Sequence, residues 1–200
     1  MKTIRRIKSE DIGREQRIPP GQIKTNKWPV LHYGPVPEFL EESWDFKVIG
    51  LVNQPFTISY QELLALDRVE VESDIHCVTT WSKLDNLWEG VSVHELIQKA
   101  GGLKAEAKFV IAHCEYGFTT NLPIKDFLQE DVLLALKHNG ENLTPDHGYP
   151  LRLVVPQLYF WKSAKWLRAL EFSATDKPGF WERNGYHNRG NPWTEERMWV

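Results

Sequence analysis

From Arg68 to Cys77 the chain alternates without a break. Val69, Val71, Ser73, Ile75 and Cys77 share one side of an extended backbone, and Arg68, Glu70, Glu72, Asp74 and His76 share the other. Side chains of a strand face opposite ways with a period of two, so this stretch buries one face as part of a sheet and carries a cysteine to its end. Phe46–Val52, Phe109–Glu115, Val132–Lys137 and Leu151–Val155 read as further strands, and Asn139-Gly140 as a hairpin turn. Helical signals are brief. Ser59 and Glu62 have capping-box spacing ahead of Leu63, Leu64 and Leu66. Ser92-Val93-His94-Glu95 repeats the device for a helix that buries Val93, Leu96 and Ile97 and stops at Gly101-Gly102. The expected fold class is α+β: β-rich, with short helices and long loops.

A chain of 200 residues with 42% hydrophobic side chains can close one continuous core. Lys and Arg number 24 against 27 Asp and Glu, a net charge of −3, so nucleic acid is not an expected partner. No run approaches the roughly 18 apolar residues of a membrane span, and no membrane association is expected. Cys77 and Cys114 are too few for a disulfide framework and suit a reducing compartment. Arg5-Arg6 lacks the apolar segment of an export signal, and Glu10, Asp11 and Glu15 do not suit a transit peptide, so a cytoplasmic location is expected. Residues 1–27, with Pro19-Pro20-Gly21 and neither helical nor strand periodicity, read as an extended arm, and residues 28–200 as one domain.

Nine tryptophans are many for this length, and Trp81, Trp88, Trp161, Trp181 and Trp193 fall in expected loops. Any one indole on a loop mostly plugs the space beneath it; together they suit loops wrapped around something flat. His76-Cys77 and His113-Cys114 offer the residue types of a zinc site, but neighbours on a strand point apart, so zinc is not expected. Cys77, followed by the turn-prone Val78–Lys83, reads as a nucleophile, as a single soft metal ligand or as an inert core thiol; Cys114 reads as core. Arg152 leads into a loop with Lys162, Ser163 and Lys165, either a donor set for a phosphate or a solvated loop with unrelated lysines.

Three segments taken together, residues 74–83, 149–156 and 162–166, resemble the sulfite oxidase family of molybdopterin oxidoreductases. The likeness runs from about His32 to Trp193. It is nearest to the family's small cytosolic members, with the catalytic subunits of exported methionine-sulfoxide reductases further off. The resemblance implies a sulfite oxidase-type molybdopterin-binding domain of mixed sheets and a Mo-molybdopterin cofactor. Cys77 would be the catalytic thiolate that binds molybdenum. Arg152, Ser163, Ala164 and Lys165 would hold the pterin phosphate, with His147, His32, Tyr33, Gly34 and His113 as further cofactor contacts. Trp181, Tyr186 and His187 would border the metal and substrate pocket.

The activity implied is two-electron oxygen-atom transfer on a small molecule, a sulfoxide, an N-oxide or a sulfur oxyanion, with an unidentified electron donor or acceptor. Val78-Thr79-Thr80-Trp81 stands where animal and plant sulfite oxidases carry an arginine-bearing segment, which argues against sulfite itself. Two other readings remain open: a non-catalytic molybdopterin-binding or carrier protein, and a metal-free redox protein using Cys77 and Cys114 as a thiol pair.

Overall fold

Each of the expected strands forms in a computed structural model that describes residues 4–199. In chain order the strands are β1 (Arg5–Lys8), β2 (Ile23–Lys24), β3 (Asp45–Gly50), β4 (Phe56–Ser59), β5 (Val69–His76), β6 (Trp81–Ser92), β7 (Phe109–Cys114), β8 (Thr119–Pro123), β9 (Leu133–His138), β10 (Glu141–Asn142), β11 (Arg152–Val154) and β12 (Leu167–Ser173). Four short helices intervene: α1 (Tyr60–Leu64), α2 (Val93–Lys99), α3 (Ile124–Phe127) and α4 (Phe180–Arg183). One sheet runs β1-β5-β6-β9-β10, with β11 also on β9 and β2 also on β6; the other runs β4-β3-β12-β7-β8. Parallel pairs β1/β5, β2/β6 and β3/β12 among antiparallel neighbours make both sheets mixed, and the class is α+β. Among the described residues no helix is long and apolar enough to cross a membrane.

Local signals explain the short elements. Ser59 and Glu62 cap α1 reciprocally. At α2, Ser92 accepts from the His94 amide instead, so Glu95 takes no part and the cap is a simple one. Gly101 and Gly102 end that helix with φ of +68° and +93°, backbone that side chains disfavour. Asn139 and Gly140 turn β9 into β10 with φ of +51° and +85°, the pairing expected of a type I′ hairpin.

Two differences from the sequence reading matter for the site. Trp81 and Trp88 belong to β6, a twelve-residue strand, and not to loops. Asp85, at φ +58°, and Gly90 sit inside this strand, where register shifts between Ser73/Ile75 and Glu89/Gly90 accommodate them. The arm is also no bare extension. Residues 5–8 run parallel to β5 and residues 23–24 parallel to β6, pieces too short to show a period. Because the arm covers the far face of β5, Asp74 and His76 are fully buried where alternation predicts solvent. Arg17 pairs with the Asp74 carboxylate through two hydrogen bonds of 2.9 and 2.7 Å.

The core has two compartments. Phe46, Val48, Leu63, Leu96, Val110 and Leu134 pack in the larger one, and Val71, Ile75, Trp88, Leu133 and Val154 in the other. β9 serves both, which is why Val132–Leu136 is an unbroken apolar run. Each such side chain contributes roughly 1.5–3 kcal/mol by leaving water.

Candidate active site

Where β5 gives way to β6 the backbone turns tightly. The Cys77 amide donates to the Trp81 carbonyl at 2.8 Å and the Thr80 amide to the Cys77 carbonyl at 3.0 Å, with Thr80 at φ +73°. Cys77 Sγ lies 3.1 Å from Thr79 Oγ1 and faces a cavity of about 470 Å³. Burial pushes its thiol up, against the pull of the Thr79 hydrogen bonds and the Arg197 charge. His76, its neighbour, points elsewhere: Nδ1 sits 2.8 Å from Ser82 Oγ and Nε2 3.5 Å from Asp11 Oδ2.

β11 brings Arg152 to the same cavity from across the sheet, three ladder spacings or roughly 14 Å from β5. Its guanidinium is buried and donates to the His147 carbonyl at 2.9 Å and the Ser163 carbonyl at 2.6 Å. It lies 4.3 Å from the Phe160 ring. Among the described residues no carboxylate pairs with it, and burial pulls its pKa down to about 9. Lys165 donates to the Asp146 carbonyl at 2.6 Å; burial and then Arg152 bring its pKa down to about 7. Gly148, at φ +109°, lets these groups converge, since a Cβ there would lie 3.1 Å from Arg152 Cβ and 3.2 Å from Lys165 Cβ. Two cations pressed together, with only Asp146 acting on Lys165 and no carboxylate on Arg152 among the described residues, form a site suited to an anion.

The remaining walls are aromatic. Trp181 and Tyr186 stack at 4.9 Å, Trp161 meets Tyr186 edge-on at 5.1 Å, and Tyr33 covers Phe180 at 4.5 Å. His32, Tyr33, Gly34, His147, Ser163 and Ala164 also line the cavity, as the resemblance implies.

His113 and His187 do not line it. His113 sits on β7, where its ring is held 2.9 Å from Glu171 of β12, and His187 accepts the Arg189 and Gly190 amides beside Glu196. Lys162 is neither a ligand nor a surface charge. It is fully buried and ties Asn121 and Asn188 together, 2.6 Å from Glu182. Trp28, Glu115, Phe118 and Phe180 line the cavity without having been expected there. Trp28 stands at the arm boundary and carried no motif; Glu115 follows a strand whose cysteine read as core.

Comparison with known proteins decides the family. The family described as oxidoreductase molybdopterin binding domain matches residues 33–181. The chain belongs to it. The uncharacterized oxidoreductase YuiH of Bacillus subtilis (strain 168) is 53% identical over 192 residues, covering 96% of each chain. A putative protein-methionine-sulfoxide reductase subunit, YedZ1 of Azospira oryzae, is 28% identical over 85% of this chain and 65% of that one. The NAD(P)H nitrate reductase of Hordeum vulgare is 26% identical over 81% of this chain, which spans 21% of that enzyme. Among solved structures, the sulfane dehydrogenase SoxCD of Paracoccus pantotrophus shares the fold, with a TM-score of 0.68 at 24% identity over 82% of this chain and 48% of that one.

This molybdopterin-binding family member is a molybdenum-dependent oxidoreductase, and its cofactor is Mo-molybdopterin. The residues fit that group on their own terms. A buried arginine with no carboxylate partner, beside a lysine, suits a phosphate, and His147 Nδ1 is buried with no hydrogen-bond partner among the described residues. A thiol is the soft donor molybdenum accepts.

Proposed function

We propose that the chain catalyses two-electron oxygen-atom transfer on a small neutral oxide, a sulfoxide or an N-oxide, in the cytoplasm. In this reading Cys77 is the thiolate ligand of molybdenum. Arg152 and Lys165 hold the pterin phosphate with the Ser163-Ala164 backbone, and His32, Tyr33, Gly34 and His147 border the pterin. One observation carries the choice of substrate: Val78, Thr79 and Trp81 of the Cys77 turn, and the Trp161, Trp181 and Tyr186 aromatic wall, line the cavity with no charged side chain among them, and Tyr186 lies within electrostatic reach of Cys77. A sulfur oxyanion would need a cation lining the cavity there, and in this reading Arg152 and Lys165, the Arg and Lys that line it, are taken up by the pterin phosphate.

When bound, the cofactor supplies a two-electron couple and an oxygen-accepting metal. Overall, the sulfur–oxygen double bond of the sulfoxide breaks, two electrons from an external donor reduce the sulfur to a thioether, and the oxygen leaves with two protons as water. Trp181 and Tyr186 give the alkyl groups an apolar wall and exclude water, while the Cys77 turn fixes the sulfur ligand. The likeness to a protein named as a methionine-sulfoxide reductase subunit supports the sulfoxide class.

The test is dye-driven turnover by molybdenum-loaded protein on dialkyl sulfoxides, amine N-oxides, sulfite and nitrate. Reduction of the neutral oxides alone is expected. Turnover of sulfite or nitrate alone would overturn the choice of substrate, and tight pterin binding with no turnover of any compound would favour a carrier.

A further inference from the structure

Behind the Cys77 turn, opposite the cavity, early and late segments of the chain meet. Gln22 from the arm donates through Nε2 to the Cys77 carbonyl at 3.1 Å, and its Oε1 accepts from Ser82 Oγ at 3.3 Å. Ser82 Oγ in turn lies 2.8 Å from His76 Nδ1, so Gln22 is held from both sides of its amide. The Ile23 amide donates to the Thr80 carbonyl at 2.8 Å. From the late segment Arg197 donates to the Val78 carbonyl at 2.7 Å, and its second nitrogen reaches the Pro20 and Gly21 carbonyls at 3.4 and 3.3 Å. Its guanidinium also lies 5.1 Å from the centre of the Tyr159 ring. The nearest carboxylate, Glu195, is 3.8 Å away and half exposed, so much of the Arg197 charge is left to act on the turn.

We propose that Arg197 and Gln22 form a clasp that positions Cys77 as a metal ligand and places a positive charge behind its peptide, making both of them positioning residues for the molybdenum centre. The proposal rests on the reading of Cys77 as that ligand. Two carbonyls flanking the ligand's backbone, those of Cys77 and Val78, are each held by a side chain from outside the hairpin, one from before it in the sequence and one from after it. A hairpin turn needs no such support to exist, since its own bonds from Cys77 to Trp81 and from Thr80 to Cys77 already close it. What the outside donors add is a fixed direction for the sulfur and a charge that favours the more reduced, more negative metal centre. Supports of this kind orient metal ligands and tune their electronics.

The experiment uses the molybdenum-loaded protein and reads the Mo(V) electron paramagnetic resonance spectrum and the metal's midpoint potential, not turnover. Arg197→Gln removes the charge and is expected to shift the midpoint to a more negative potential and to change the g-values. Arg197→Lys, which keeps the charge but cannot span the same carbonyls, is expected to hold the midpoint closer to wild type while still changing the spectrum. Gln22→Met, similar in size but without a donor, is expected to change the spectrum with a smaller shift in potential. Arg6→Gln, on remote β1, serves as the control and should match wild type.

A wild-type spectrum and midpoint in Arg197→Gln overturns the proposal; if that variant does not accumulate as loaded protein, the same result in Gln22→Met does so. Cys77→Ser separates the two levels of the argument. If it loads metal and keeps the wild-type spectrum, Cys77 is not the ligand and the underlying reading fails. If it loses that spectrum while both clasp variants keep it, only the clasp fails.

Discussion

Trp28 lies flat on His147, ring centroids 3.7 Å apart and planes 12° from parallel, while Arg152 donates to the carbonyl of that same histidine at 2.9 Å. The indole and the guanidinium together fix an imidazole that cannot readily take up a proton. Burial, then Arg152 and Lys165, depress the His147 pKa to about 4. Burial, then Lys83 and Arg152, take the neighbouring His138 to about 3.

Both histidines favour the neutral form when folded and titrate near 6.5 when unfolded, so each contributes stability that is complete above about 6.5 and is lost as pH falls toward the folded values. The denaturation midpoint of the cofactor-free protein is expected to fall between pH 6.5 and 4. His138→Gln, which keeps a donor for Asn86, should flatten that fall. An equally steep fall in the variant would assign it to other groups.

Lys165 makes an opposite prediction about binding. Without an anion its pKa is about 7, and a bound phosphate would raise it, so binding takes up a proton above neutrality. Affinity for inorganic phosphate, measured calorimetrically on cofactor-free protein, is expected to weaken as pH rises from 7 to 9. Lys165→Ala should remove that dependence and purify with roughly tenfold to a hundredfold weaker pterin retention, the effect of losing one charge-assisted bond of about 1.5–3 kcal/mol. Released pterin fluorescence per mole, compared with wild type and Lys99→Ala, reads the outcome.

Cys77→Ser exchanges a soft ligand for a hard, weakly acidic hydroxyl. Turnover should vanish while pterin, which the proposed site holds mainly through Arg152 and Lys165, is largely retained. Cys114 is a buried thiol of the larger core whose pKa burial drives upward, and Cys114→Ser should keep substantial activity. Full activity in Cys77→Ser would remove the metal-ligand assignment.

Lys162 and Glu182 form a buried pair at 2.6 Å, with Trp161 Nε1 also donating to Glu182 at 2.9 Å. Lys162→Met strands a carboxylate in the interior and is expected to cost about 3–5 kcal/mol. Adding Glu182→Gln removes the stranded charge and should recover most of it. A thermal-melt series across the two single variants and the double variant measures the coupling.

Much of the fold was legible wherever one side chain's chemistry settles one local choice: the alternation of β5, the Ser59 cap, the Asn139-Gly140 turn. β6 was not, because Asp85 and Gly90 speak for turns locally and only pairing with β5 and β9 overrules them. At the site, Cys77, Arg152 and Lys165 line one cavity as the resemblance implies, whereas their flanking patterns alone left a core thiol and a solvated loop open. His113 does not, since loose motif spacing says nothing about which face of β7 it occupies. Lys162 shows the converse limit: a lysine's composition says solvent, and only the burial of Glu182 and Asn121 beside it makes an interior position tenable.

Arg197 touches Gly21 across 176 positions of sequence, and the Cys77 hairpin lies inside that contact. Since a chain is made from its amino end, the hairpin emerges from the ribosome well before the residue that completes its support, which follows Val78 by 119 positions. Gln22 can dock early; Arg197 arrives only after every strand of both sheets has been made. Contacts of such separation form late, after shorter loops have closed. On the reading of Cys77 as the metal ligand, its turn gains its last support only once the chain has been extended through Arg197, so attachment of the metal to that sulfur is expected after that point.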